Sequence, residues 1–251
     1  MKEKSYLLYV LFMAARYFFF SGMTFLLFYV IFRKNVVQLK IQKLFPKDKD
    51  YKREIQYSIL TMFIFAGFAY LLSATSFWQY TRIYRDFNEH SIGYFIFSVV
   101  LAILIHDTYF YWMHRLMHHP KVFKYVHLVH HKSTNPSPFT SYSFHPFEAV
   151  VEAAVILVIV FLIPIHKFAI GLFLLFMIVF NIYGHLGYEI FPKWLLQSSI
   201  GKWFNTSLNH NMHHKYFNDN YGLYFRFWDE WCGTTHPDYQ KKMNQMLHQK
   251  S

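Results

Sequence analysis

The sequence predicts an all-α fold: multispan transmembrane helices, about four spans or a hairpin pair among them, carrying a cytosolic histidine-rich helical cap. Three observations lead there. The 251 residues are 54% hydrophobic and 22% aromatic but only 16% charged, too apolar for an ordinary soluble domain. Several apolar stretches reach the roughly 20 residues that a helix needs to cross a bilayer. Ten of the sixteen histidines fall in five short clusters, and counting spans puts all five on one face of the membrane.

The elements follow in chain order. Tyr6–Phe32 is a first span, interrupted by Arg16; it is too long for the apolar core of a cleavable signal peptide and reads as a signal anchor or first span. Ile55–Trp78 is a second. Ile92–Met113 is a third, turning polar at His106 and Asp107. Ala149–Ile163 is short and is followed by Pro164-Ile165-His166-Lys167 and then by Phe168–Tyr183, a helical hairpin with a tight turn at Pro164. The polar stretches 121–146 and 193–251 are too short to hold cores of their own and read as the cap. Three segments result: residues 1–89 with the first helices and a basic loop, 90–236 as the catalytic unit, and 237–251 as a basic tail.

The loop between the first two spans holds Arg33, Lys34, Lys40, Lys43, Lys47, Lys49, Lys52 and Arg53, which places it in the cytoplasm by the positive-inside rule. The second span leaves that side and the third returns, so His114 emerges there. The hairpin departs after His145 and comes back at His185, and no span follows. The formal net charge of +11 is therefore read as membrane-related rather than as a nucleic-acid footprint. One cysteine, Cys232, excludes an intrachain disulfide framework and a thiolate-based zinc site.

Neutral imidazole is a common ligand for zinc, copper, iron and nickel. His114 and His118 are spaced i, i+4. His127, His130 and His131 are spaced i, i+3, i+4, as are His210, His213 and His214, so each set shares one side of a helix if the stretch is helical. These eight imidazoles exceed what one ion normally takes, which favours a dinuclear centre, and His145 and His185 at the feet of the hairpin are candidates to complete it. Asp107, seven residues before His114, is a candidate to orient ligands, and Glu189, four after His185, is a candidate ligand or orienting group. His106 and His119 are rotated off the ligand stripe and are expected to be structural, as are His90, His166, His236 and His248.

The run Asp107-Thr-Tyr-Phe-Tyr-Trp-Met-His114-Arg-Leu-Met-His118, with His127-Leu-Val-His130-His131 and His210-Asn-Met-His213-His214, resembles the sterol desaturase/fatty acid hydroxylase superfamily. So do Ser143-Phe-His145-Pro-Phe-Glu148, Gly184-His185-Leu-Gly-Tyr-Glu189, and the tail from Asn220-Tyr-Gly222 through Trp228-Asp229 to Gly233-Thr234; together they cover roughly residues 90 to 236. The resemblance implies an integral-membrane oxygenase with two Fe ions, using O2 to hydroxylate or desaturate a lipid that is sterol-like or a fatty acyl or ether lipid. It implies His114, His118, His127, His130, His131, His185, His210, His213 and His214 as ligands, with His145 beside them. Where acyl 2-hydroxylases of this family resemble HxxxH, this chain has His185-x-x-x-Glu189, which leans towards the sterol-desaturase-like branch. The sequence holds no cytochrome b5-like segment, so a separate electron donor of cytochrome b5, ferredoxin or reductase type is expected. The expected location is an inner membrane in a bacterium or the endoplasmic reticulum in a eukaryote.

An unactivated C–H bond needs an oxidant stronger than any side chain, and dioxygen activated at a metal meets that need. Two alternatives make different demands. A histidine-rich metal transporter wants ligands at mid-membrane depth, and a membrane zinc hydrolase wants about three ligands and a general base.

Overall fold

Ser5 opens the first helix of the computed structural model, which describes residues 5–249. Its Oγ accepts from Leu7 N at 3.3 Å, replacing one of the hydrogen bonds that a helix start leaves unmade. Helix α1 (Tyr6–Phe25) continues into a π-helical turn over Leu26–Ile31. Residues 1–4 and 250–251, the ends of the expected first and last segments, lie outside the described residues.

Helix α2 (Asp48–Ala74) starts seven residues before the expected second span. Asp48 and Asp50 sit in its first turn, where acidic groups suit the helix dipole, and Asp50 Oδ2 accepts from Lys47 N at 3.1 Å. Capping chemistry, not hydropathy, sets that boundary. Helix α3 (Ile92–Met117) is capped by Ser91 and runs one turn past its apolar stretch, so it carries His114 and ends on His118. Short helices α4 (Pro120–Val126) and α5 (Leu128–His131) break at His127. Helices α6 (Pro146–Leu162) and α7 (Lys167–Gly184) form the expected hairpin, each preceded by a histidine N-cap, His145 and His166. The remainder is α8 (Lys193–Leu196), α9 (Ser207–Tyr216), α10 (Phe227–Cys232) and α11 (Tyr239–Gln249).

Among the described residues, four helical segments are long and apolar enough to cross a membrane: Tyr6–Ile31, Asp48–Ala74, Ile92–Met117 and Lys167–Gly184. Helix α6, at 17 residues, is the short partner in the hairpin. Outward residues such as Leu7, Phe12, Phe19, Ile96 and Phe97 are exposed, as lipid-facing residues are, while Ala102, Ile159, Ala169 and Phe173 are fully buried between helices. Strands β1 (Ile83–Tyr84) and β2 (Ile165–His166), too short to leave an alternating pattern in the sequence, pair in parallel and staple the α2–α3 connection to the hairpin turn.

At the opposite end of the bundle, the C-termini of α3 and α7 and the N-terminus of α6 meet beneath α9. The tail folds onto this cap, with Tyr239, Met243, Met246 and Leu247 of α11 buried against Leu208 and Met212 of α9. The basic loop joins it too, since Gln42 Nε2 donates to Thr134 O at 2.8 Å and to Asn211 Oδ1 at 3.0 Å.

Candidate metal centre

Nine histidines converge at this end of the bundle in two groups. His114, His118, His127, His131 and His213 form one, and His130, His185, His210 and His214 form the other; within each, one nitrogen per ring lies within 4.8 Å of all the rest. The i, i+3, i+4 triplets are not kept whole. His127 and His131 go to the first group while His130 goes to the second, and His213 is parted likewise from His210 and His214. Neighbours on a triplet point about 100° apart around a helix, which aims them at two different points.

The proton positions show what these points require. His114 Nδ1 faces Tyr221 O at 2.9 Å, His130 Nδ1 faces Ser143 O at 3.4 Å, and His185 Nδ1 faces Asn181 O at 2.7 Å. His213 Nδ1 faces Asp219 O at 2.6 Å and His214 Nδ1 faces Ser133 O at 3.0 Å. A carbonyl oxygen only accepts, so each of these nitrogens carries the proton, and in a neutral ring Nε2 is then a bare lone pair. His127 Nδ1 donates to Glu148 Oε1 at 2.7 Å, with the same consequence.

Yet the Nε2 atoms face one another: His114 to His127 at 3.0 Å, His185 to His130 at 3.2 Å. Two acceptors in contact with no hydrogen between them repel, unless a cation sits among them. Similar Nε2 contacts run from His131 to His127 and His213 at 3.1 Å each, and from His210 to His185 at 3.0 Å and His214 at 3.2 Å. Burial, and then the neighbouring rings, depress the pKa of His127, His130, His131, His210 and His214 well below the usual imidazole range. Burial likewise lowers His185 to about 4. The centre is therefore held in the neutral, metal-binding form, and its donor set fits two ions that accept nitrogen ligands.

Acidic residues support the rings from behind. Glu148, 1% exposed on the first turn of α6, fixes His127. Glu54 of α2 accepts from Ser133 Oγ at 2.7 Å and from Ser137 Oγ, anchoring the segment whose Ser133 carbonyl holds His214. Asp229 accepts from Tyr221 N at 2.8 Å and Gly222 N at 2.9 Å, and Asp107 accepts from Tyr224 N at 2.7 Å and Phe225 N at 3.1 Å. Together they shape the loop whose Tyr221 carbonyl orients His114.

Asp107 thus touches the loop and no ligand ring. Glu189 lies outside both groups, with Oε1 accepting from Tyr183 OH at 2.9 Å and Phe191 N at 3.1 Å, and Oε2 from Leu208 N at 3.1 Å. It ties the end of α7 to the start of α9. His145 is not brought to the cluster; its Nδ1 accepts from Phe147 N at 3.4 Å as the cap of α6. His106 bonds Tyr224 OH at 2.8 Å, and His119 caps α4. Glu148, Glu54 and Asp229 carry no role in the sequence reading. A carboxylate inside an apolar helix, as at Glu148, is the signal that points to it.

Below the cluster lies an apolar cavity of about 390 Å³ lined by Met13, Phe65, Leu72, Glu152, Ile156 and Met177 among others. A narrow second space of about 20 Å³ shares Phe65, Glu152 and Met177 with it and adds His106, Phe110, Phe144 and Asn181. Phe110 packs on His114 at 4.8 Å and Phe144 on His130 at 5.1 Å between ring centroids, so this neck abuts both groups.

Residues 99–234 match the fatty acid hydroxylase family. A Delta(7)-sterol 5(6)-desaturase of Gibberella zeae is 32% identical over 155 residues, 62% of this chain and 46% of that protein. Lathosterol oxidase of Homo sapiens is 29% identical over 185 residues, 73% of this chain and 60% of that protein. Lathosterol oxidase of Mus musculus is 35% identical over 162 residues, 63% of this chain and 52% of that protein. The chain spans about half the length of the curated relatives it matches. No solved structure matches it.

Proposed function

The chain belongs to the fatty acid hydroxylase family, and from that premise we propose that it is an integral-membrane oxidoreductase with two Fe ions that uses O2 to desaturate or hydroxylate a sterol-like lipid. The observation that carries this reading is the gathering of nine imidazoles in groups of five and four, with proton-free Nε2 atoms facing one another in each. A catalytic zinc site uses about three protein ligands, and a transporter has no use for two closed sets at one end of its helices. The named activity of the relatives supports a sterol-like substrate.

His114, His118, His127, His131 and His213 hold one ion; His130, His185, His210 and His214 hold the other. When bound, iron would activate O2, the oxidant that an unactivated C–H bond requires. The protein does the rest. Glu148 and the carbonyls of Tyr221, Ser143, Asn181, Asp219 and Ser133 keep Nδ1 protonated on His127, His114, His130, His185, His213 and His214, so Nε2 of these six rings stays free to ligate. Phe65, Phe110, Phe144 and Met177 line the path from the apolar cavity and exclude water from the reacting carbon. The carbonyl-bound rings resist rotation, holding the geometry that separates desaturation from hydroxylation.

Electrons come from a separate donor of cytochrome b5, ferredoxin or reductase type. A groove lined by Lys43, Lys215 and Lys242 lies between the basic loop, α9 and α11, on the outer side of the helix that supplies His210, His213 and His214. An acidic donor docked there has a short path to the metals. The same basic loop supports a cytoplasmic cap.

The test is to purify the protein in detergent after iron-supplemented expression, measure iron, and compare lipids from cells carrying wild type and His130→Ala. About two irons per chain and an O2-dependent sterol product missing from the variant are expected. Iron-free protein with unchanged lipids would refute the reading.

A further inference from the structure

Glu152 has no role in the centre just described, yet it stands where the apolar cavity and the neck meet. It lies one turn, about 6 Å along α6, from Glu148, the carboxylate that fixes His127. It lines both the apolar cavity and the neck beneath the metals. Its carboxyl group makes no hydrogen bond or ion pair with any described residue. A polar group in apolar surroundings without a partner costs free energy, and a site retains one when a ligand supplies the partner.

The surroundings narrow what that ligand is. Arg16 of α1 lines the same cavity and is turned to Tyr142 OH at 2.6 Å instead of to Glu152. A lipid carboxylate or phosphate placed at Glu152 meets a carboxyl group, and a lipid amine placed in this cavity meets a guanidinium. The carboxyl group thus weighs against an anion at this point, and Arg16, Arg85 and Lys167, which all line the cavity, weigh against a lipid amine. A hydroxyl is neutral and both donates and accepts, so it pairs with the carboxyl group whether or not that group carries its proton. Ser73, Arg85 and Lys167 line the cavity at its hairpin-turn end, away from the metals, and the wall between, with Met13, Phe65, Leu72, Ile156 and Met177, asks only for hydrocarbon.

We propose that Glu152 anchors the hydroxyl of a neutral lipid alcohol at the junction of cavity and neck, so that the carbons nearest the hydroxyl face the metals while the hydrocarbon body fills the cavity. This rests on the lipid-oxidase reading and deepens it. The carbon oxidised lies close in bonds to the carbon bearing the hydroxyl, and lipids lacking the hydroxyl are poor ligands. Glu152 is a positioning and specificity residue; it transfers nothing.

The test uses iron-loaded full-length protein in nanodiscs without O2, so that nothing turns over. Displacement of a fluorescent sterol is measured with lathosterol and with the same sterol lacking its 3-hydroxyl. Wild type is expected to bind the alcohol about tenfold tighter, because the sterol lacking the hydroxyl leaves the carboxyl group without a partner. Glu152→Leu should erase that preference while leaving iron content unchanged, and Glu152→Gln, which keeps an acceptor at the same place, should retain most of it. Equal binding of both sterols by wild type, or an undiminished preference in folded Glu152→Leu protein, overturns the proposal. A preference that depends on Glu152 in protein that yields no O2-dependent product supports the anchor and tells against the oxidase reading alone.

Discussion

His114 Nε2 lies 3.0 Å from His127 Nε2, although the other nitrogen of each ring already donates, one to the Tyr221 carbonyl and one to Glu148. Neither facing nitrogen has a proton to offer. The contact is stable with a cation between the rings, and a chelator should therefore destabilise the protein. With metal at 100 times its dissociation constant, binding contributes about 2.7 kcal/mol. Stripped protein should melt several degrees lower in a detergent thermal-shift assay and recover on adding iron(II). An unchanged melting temperature in protein verified as metal-free would contradict the assignment.

The division into groups of five and four predicts site-selective loss. His130→Ala removes one of four ligands from the smaller group and none from the larger. Metal per chain, measured by mass spectrometry on purified protein, should fall from about two towards one, with oxidation abolished. His131→Ala should lower the same ratio through the other group. A variant of either kind that keeps two tightly held ions would show the partition to be wrong.

Glu148 holds His127 Nδ1 at 2.7 Å from full burial. Glu148→Ala frees that ring to turn and lowers its basicity. Outer partners of this type affect metal affinity by about 10–100-fold. Competition with a chromophoric chelator should show a loss of that size, largely restored by Glu148→Gln, whose carbonyl still accepts.

Gly222 has no room for a side chain: an added Cβ would stand 2.4 Å from Phe225 O and 2.9 Å from Asp229 Oδ2. Gly222→Ala must displace the loop that carries Tyr221. We expect a stability loss of about 1–3 kcal/mol and weaker metal binding through His114. Gly171→Ala, with nothing within 4 Å of the new carbon, is the matched control and should do little.

Lys40 is 6% exposed, and its Nζ lies 4.7 Å from the centroid of Phe45, 5.1 Å from that of Tyr188 and 5.6 Å from that of Tyr29. Burial, aided by Arg33, lowers its pKa from 10.5 to about 8. Between those values the unfolded chain binds the extra proton, so this residue's contribution to stability improves as pH rises from about 8 to about 10.5 and is least favourable below. Lys40→Met should be more stable than wild type by roughly 1–3 kcal/mol at pH 7, the cation–π contacts offsetting part of the gain. The gap should narrow towards pH 10. A gap that is constant with pH would show that Lys40 does not titrate differently in the folded state.

Much of the site is legible in the chain because its signals are local. Hydrophobic stretches of spanning length mark α1, α2 and α3, a shorter apolar pair marks the α6–α7 hairpin, and histidine spacings that suit a helix mark eight of the nine rings. The same reasoning leaves His145 beside the cluster when it is in fact the cap of α6, because a histidine before proline looks alike in either role. It also misses Glu54, whose partners Ser133 and Ser137 are 79 and 83 residues away.

The sequence by itself determined that this chain is helical, crosses a membrane and gathers imidazoles at one end. Period, length and charge are properties of neighbouring residues. Which histidine shares an ion with which was decided only in three dimensions: His213 meets His131 across 82 residues, and adjacent His130 and His131 part company. Helix geometry aims neighbouring rings about 100° apart, but the packing of α3, α5, α7 and α9 decides where those directions intersect. That packing also makes Glu148 and the Tyr221 carbonyl partners of the ligands, and it encloses Glu152 in an apolar chamber without a partner of its own.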